Sequence, residues 1–488
     1  MNNFFNKEIS VKMFMISFVI LNMLYIIPFI LSPYLFMDDT VRIVVGNPDW
    51  GWQGRPLADF MMYLLSSDNN KIVNLFPFPL LLILVFYFYT IYYIVKHHLN
   101  SIKIYYLFSF LLILCSPLFV HNLLYKYDSA PMILGVSISL LAFFYQSKNK
   151  YMGVFVPILL LIMTLSLYQP CFNIFLTLLV GNYLIKFKKD INYIKCFIIY
   201  ISALVAYIIF VSIIMGLKSN RSHMLNLLDI NSLYLILNKL SFFIKELFLN
   251  LPLFIVIPCI LLTCLFIINV ILNIKQESTI IKKCYIALSP ILIFLSLWGG
   301  LLIIKEPLIQ PREFINFGIL LFILSFYLTE KYKQISGYLT LILLIGCFSF
   351  AYQSINTLKE QKEFEKIILT NVFTNITENP EIFNSYKVYI NGKLPKSLVL
   401  KNNESNSQII KRFIEPADKW VIRYTLIKMG IDNIQDGFAD DNKQQLKIIK
   451  NIKPIIETKF YNIYKVNNSS IIYFKIKKGV SEDSLKRQ

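Results

Sequence analysis

Apolar runs alternate with short polar connectors along the first 353 residues, and the pattern predicts about eleven membrane spans. The runs fall at 11–31, 75–95, 104–123, 130–146, 151–168, 170–185, 193–216, 251–273, 284–304, 314–329 and 336–353. The first has no small-residue cleavage site behind it and reads as a retained span. The stretch Met224 to Asn250 is interrupted by Lys239, Lys245 and Glu246, and reads as an interfacial amphipathic helix pair. Beyond Ser354 the pattern changes to a polar, Asn- and Ser-rich tail with strand-like runs. One is Tyr386 to Ile390, before an Asn391–Gly392 turn; the other is Ile471 to Ile476. A tail of about 135 residues suffices for a small domain. The expected fold is therefore an all-α polytopic membrane domain over 1–353, followed by a small α+β C-terminal extracytoplasmic domain over 354–488. Residues Gly479 to Gln488 read as a disordered end.

Charge orients the spans. With the N-terminus in the cytoplasm, the connectors on that side are short and rich in lysine, among them Lys96, Lys103, Lys148, Lys150, Lys188, Lys282 and Lys283. All four arginines of the membrane domain, Arg42, Arg55, Arg221 and Arg312, then lie on the opposite face. An odd number of spans puts the tail on that face too. The net charge of +19 consequently reflects membrane topology, and nucleic-acid binding is excluded as a function class. The seven cysteines are scattered through the apolar runs, so they imply neither a disulfide framework nor a metal site. The four histidines form no zinc motif.

The first outer loop carries the densest chemistry. It reads Met37-Asp38-Asp39-Thr40-Val41-Arg42, then Trp50-Gly51-Trp52-Gln53-Gly54-Arg55-Pro56-Leu57-Ala58-Asp59. Asp38 and Asp39 directly follow the first span, so one of them can act as a general base on a hydroxyl, or bind a divalent cation through oxygen. Adjacent carboxylates also repel, which favours a proton held on one of them. Arg42 and Arg55 carry planar forks suited to phosphate. Pro56 can open a surface helix running to Ser66, with Leu57, Phe60, Met61 and Leu64 on one face. Other outer loops add Lys126 and Asp128, Tyr168 and Gln169, and Arg312. A carboxylate beside phosphate-binding cations at a membrane surface suits glycosyl transfer from a lipid-phosphate sugar. No Gly-rich nucleotide loop is present, which argues against a nucleotide-sugar donor.

The D-D-x-x-R after the first span, the W-x-G-R-P-L-A-D segment from Trp52, Tyr127–Asp128, Tyr168–Gln169 and Pro311–Arg312 resemble the phage-type O-antigen glucosyltransferase family (Gtr, type II) of the GT-C class. The resemblance is strongest over 37–60 and weak in the tail. It implies a multi-pass protein of a bacterial inner membrane with its active site on the periplasmic side. It implies a polyprenyl-phosphate glucose donor and an O-antigen acceptor, with a donor synthase and a donor-lipid flippase as partners. Asp38 or Asp39 is then the catalytic base, and Arg42, Arg55, Asp59, Lys126, Asp128, Tyr168, Gln169 and Arg312 contact substrate. No cofactor is required by this reading, beyond a divalent cation if the carboxylates hold one.

The rival reading is a transporter or flippase of a lipid-linked saccharide. A transporter places ionisable groups near the bilayer midplane, whereas the runs here are nearly free of charge. The topology makes a direct prediction. A reporter active only outside the cytoplasm is expected to work when fused after Gln488 and to stay silent at Lys150 or Lys188. An active cytoplasmic reporter at the C-terminus would overturn the eleven-span count.

Overall fold

The computed structural model describes residues 4–68, 70–188, 191–216, 225, 229–436, 448–449 and 452–475. Within these the chain is mostly helical and carries one small sheet. It divides into two compact units. One holds residues up to Ser32 together with Asn47–Ser354; the other holds Pro33–Gly46 and the chain from Ile355 onward. The first outer loop is thus divided between them. The expected boundary after residue 353 had kept that loop whole with the membrane domain.

Six described helices are long and apolar enough to cross a membrane: Val11–Leu31, Phe78–His98, Tyr193–Ile213, Leu253–Gln276 and Pro311–Thr329 in the first unit, and Ile335–Glu378, which begins in the first unit and ends in the second. Ser129–Phe144, Met152–Leu167 and Gln169–Ile185 are shorter apolar helices. Hydropathy located these elements but not all their breaks. The run 104–123 is not one helix: Ile104–Leu111 is followed by turns, and Val120–Leu124 forms a separate short helix. Ser116–Pro117 lies in the gap, where proline supplies no amide hydrogen and disfavours helical backbone in the residue before it. The run 284–304 becomes the helix Ile280–Ser296 and a 3₁₀ turn Gly299–Leu302, with Gly299 at a φ of +47°. The segment expected as an interfacial helix pair is a single helix, Ile230–Phe242, running into a π turn Phe243–Phe248. Residues 224 and 226–228 of that segment lie outside the described residues, as do Arg221, Ile476 and Gly479–Gln488.

The last apolar run continues as helix to Glu378, well past residue 353. Loss of hydropathy ends a span without ending a helix. Residues 359–366 are Lys, Glu, Gln and Phe, mostly good helix formers, with a Lys359–Glu363 pair at i,i+4.

The second unit is built on a five-stranded sheet: β1 (Lys387–Asn391), β2 (Ile434–Asp436), β3 (Ile456–Glu457), β4 (Tyr461–Val466) and β5 (Ser469–Phe474), in the order β2-β1-β5-β4-β3. β1 runs parallel to β2 and β5, while β3, β4 and β5 are antiparallel. The strand expected over Tyr386 to Ile390 is β1, and Gly392 follows it at a φ of +92°. Asn467 at a φ of +51° closes the β4–β5 hairpin, a position asparagine tolerates better than most residues. Alternate side chains Val388, Ile390, Ile463, Ile472 and Phe474 pack with Ile368, Val372 and Ile376 of the long helix and with Val421, Ile422 and Leu426 of helix Lys419–Lys428. The buried Glu365 ties this core to its loops. It accepts hydrogen bonds from Ala417 N at 2.8 Å, Lys362 Nζ at 2.8 Å and Gln361 Nε2 at 3.0 Å.

Candidate active site

Most of the expected site residues cluster in the first unit, around the segment Trp50 to Asp59. Gly51–Gln53 is a 3₁₀ turn that ends at Gly54, and Pro56 opens the helix Pro56–Ser66 at the expected residue. Asp59, in the first turn of that helix, reaches back and accepts from Trp50 N at 3.0 Å and Gly51 N at 2.7 Å. A carboxylate there also suits the positive end of the helix dipole. Burial and the Asp59 carboxylate push the Tyr63 phenol above its ordinary range. A Cβ on Gly51 would stand 2.5 Å from Asp59 Oδ2, so a side chain there would displace the carboxylate that caps the turn. Gly54 has a φ of +79°, and its carbonyl accepts from Tyr207 Oη at 2.5 Å.

Arg55 follows this turn and is half-buried. Its Nε donates to Gln169 Oε1 at 2.7 Å, and its guanidinium lies 4.5 Å from the centre of the Tyr168 ring. Gln169 is itself held, because its Nε2 donates to Gln53 O at 2.9 Å and to Tyr207 Oη at 3.2 Å. Among the described residues nothing in the protein takes the two terminal nitrogens of Arg55. They remain available as a fork of donors at a fixed position.

Tyr168 joins this arginine to a second one. Its hydroxyl donates to the backbone carbonyl of Arg312 at 3.1 Å, and Asn122 Nδ2 donates to the same carbonyl at 3.1 Å. The Arg312 guanidinium lies 4.7 Å from the Tyr125 ring centre, and its Nε lies 3.6 Å from Glu313 Oε1. The Arg312 side chain is 17% exposed, which leaves a narrow opening. Asp128 is buried and accepts from the Trp50 indole N–H. Lys126 donates to the carbonyl of Ser32, which caps the first helix, and packs 4.7 Å from the Phe76 ring centre. Lys126 therefore satisfies a helix end.

Asp38, Asp39 and Arg42 belong to the second unit. They lie on helix Asp38–Val45, which packs against helix Lys419–Lys428, while the neighbouring Met37 packs on the core of that unit. The two aspartates are not equivalent. Asp39 is 0% exposed and its Oδ2 accepts from Phe36 N at 3.4 Å, whereas Asp38 keeps part of its surface. Arg42 is buried as well.

Sequence reasoning missed Tyr207, Asn122, Tyr125 and Glu313 as site members. Glu313 had a signal in its adjacency to Arg312. Tyr207 and Asn122 had none, since each sits inside an apolar run. Among the described residues no group of three or more His, Cys, Asp or Glu is placed to hold a metal ion.

Six long apolar helices, with arginines and carboxylates gathered at the ends of several, define a polytopic membrane protein. The chain belongs to the glucosyl transferase GtrII family, whose model matches residues 27–317. It is also similar to the "uncharacterized 55.3 kDa protein in gtrB 5′ region" of Salmonella phage P22, at 31% identity over 162 residues. That match covers 33% of each of the two chains. No solved structure matches.

The Trp50–Asp128 bond gives a test of how this cluster is held. Trp50→Phe keeps a buried ring and removes the indole donor, at a cost of about 1–3 kcal/mol for the carboxylate left behind. The detergent-solubilised variant is expected to melt several degrees lower. Adding Asp128→Asn to Trp50→Phe should restore part of the loss, because the buried charge goes too. An unchanged Tm in Trp50→Phe would remove this bond from the stability account.

Proposed function

We propose that this protein transfers a glucosyl group from a polyprenyl-phosphate sugar to an O-antigen unit on the periplasmic face of a bacterial inner membrane, using about eleven spans. The observation that carries the reading is Arg55. Gln169 and Tyr168 hold its guanidinium while its terminal nitrogens stay open, which is the geometry a bidentate phosphate ligand needs. Membership of a glucosyltransferase family over the residues that build this cluster supports it.

The proposed chemistry uses the chain's own groups. Asp38 takes the proton of the acceptor hydroxyl, and that oxygen attacks the anomeric carbon of the donor. The bond from the anomeric carbon to the phosphate oxygen breaks, and its electron pair leaves with the phosphate. Arg55 and Arg312 stabilise the charge that builds there. Asp39, being fully buried, positions the loop and does not reach substrate. Arg42, Asp59, Lys126 and Asp128 act in the same way, by holding backbone and side chains in place.

Two measurements test this. Purified enzyme should transfer glucose from polyprenyl-phosphate glucose and not from a nucleotide sugar; direct use of the nucleotide sugar would reject the mechanism. Loss of a general base typically costs about 10²–10⁴ in rate. Asp38→Asn is therefore expected to abolish O-antigen modification at normal membrane protein level. Asp39→Asn should instead lower the amount of folded protein. Full activity in Asp38→Asn would remove it from the catalytic role.

A further inference from the structure

The segment just ahead of Arg55 alternates buried and exposed residues. Pro48 and Trp50 are buried, whereas Asn47, Asp49, Trp52 and Gln53 are exposed. Trp52 is 78% exposed, although tryptophan is highly buried on average. Among the described residues these four exposed side chains make no hydrogen bond or ion pair, and the indole of Trp52 meets no other ring. The backbone that carries them is fixed. Trp50 O accepts from Gln53 N and from Arg55 N, each at 2.9 Å, and Gly54 N donates to Gly51 O at 2.8 Å. Asp59, Gln169 and Tyr207 hold the same turn through Gly51 N, Gln53 O and Gly54 O. The indole therefore stands on a rigid support. It is three residues from Arg55, so at most about 11 Å of chain separates them, and one ligand can touch both.

A flat apolar ring among exposed amides and a carboxylate matches one kind of ligand. A pyranose has a face of C–H groups that packs on an aromatic ring, and hydroxyls at its edge that need both donors and acceptors. A lipid chain would cover the indole but leave Asn47, Asp49 and Gln53 unpaired, and a carboxylate in hydrocarbon is costly. The next helix shows the contrast, since its exposed Phe60 and Leu64 form an apolar stripe suited to lipid. A phosphate would be repelled by Asp49. We propose that Trp52, with Asn47, Asp49 and Gln53, forms the subsite for a sugar ring of the acceptor glycan, beside Arg55. The proposal rests on the glucosyl-transfer reading and adds where the acceptor lies and which ring it packs on.

The test uses the full-length enzyme with polyprenyl-phosphate glucose and, as acceptor, unmodified O-antigen polysaccharide from cells lacking this gene. Trp52→Ala is expected to raise the KM for the polysaccharide about tenfold, the effect of uncovering roughly 60 Å² of apolar surface, while the KM for the donor does not follow. Trp52→Phe keeps a flat ring and should retain most of the affinity. Trp52→Leu keeps apolar bulk without the flat face and should behave like Trp52→Ala. An unchanged polysaccharide KM in Trp52→Ala, at wild-type protein level, overturns the proposal and leaves the glucosyl-transfer reading standing. Equal rescue by Leu and Phe, or an equal rise in KM for both substrates, also overturns it and assigns the indole to the membrane interface. A second measurement needs no turnover and no variant that could misfold. The four tryptophans of the wild-type chain are replaced by 5-fluorotryptophan, and the fluorine resonance of Trp52 is assigned by its loss in Trp52→Phe. The polysaccharide alone should shift that resonance saturably, and polyprenyl phosphate alone should not. A resonance left in place by the polysaccharide, or shifted equally by the lipid, overturns the proposal. If the polysaccharide shifts it but wild-type enzyme transfers no glucose, the functional reading fails and the saccharide subsite stands.

Discussion

The hydroxyl of Tyr207 on the carbonyl of Gly54 is the contact on which the candidate site depends. It is short, at 2.5 Å, and it forms where the backbone turns through a φ of +79°. Any Cβ at residue 54 would stand 2.7 Å from that hydroxyl, so the approach requires glycine. Tyr207 also receives a hydrogen bond from Gln169, which holds Gln53 O and Arg55 Nε. Three segments far apart in the chain are fixed by one set of bonds. In surroundings of low dielectric, each bond strengthens the next and an unpaired member is costly. Arg55 is oriented before any ligand arrives, which is what electrostatic stabilisation of a developing charge demands.

The second unit does comparable work for the acidic loop. Helix Asp38–Val45 is eight residues long, too short to be stable alone in water. It is held by packing on helix Lys419–Lys428, by the partly buried Met37 on the unit's core and by the buried Asp39 and Arg42. The acidic pair that looked symmetrical in the sequence is divided by this packing. One carboxylate is enclosed and serves the turn at Phe36, and the other keeps contact with solvent.

Much of the site was legible before the structure. The proline start of helix Pro56–Ser66, the apolar helices and strand β1 all follow from local rules of periodicity, capping and turn chemistry. What failed to show was tertiary. That is true of the grouping of Pro33–Gly46 with the C-terminal residues, whereas the break after Leu111 and the continuation of the last helix to Glu378 follow from proline and helix propensity, which hydropathy alone does not weigh. The same holds within the site. Asp59 and Lys126, expected to contact substrate, bind backbone atoms of the protein, a partnership that their place in charged loops does not reveal. Tyr207 was invisible for the opposite reason, as an aromatic residue in an apolar run is ordinary packing until its hydroxyl is seen to have a partner.

The choice of cation at each position follows a physical division. Arg55 and Arg312 both lie over tyrosine rings, at 4.5 and 4.7 Å from the ring centres. A guanidinium is planar and weakly hydrated, so one face can rest on an aromatic ring while its edge still donates. Lysine has a compact, strongly hydrated head that cannot do both. Lys126 accordingly appears where a point donor is enough, closing the carbonyl end of the first helix. Exchange of Arg55 for lysine would conserve charge but lose the stacked plane, the bond to Gln169 and the open fork together. The identity of the cation, more than its sign, fixes the geometry at this position.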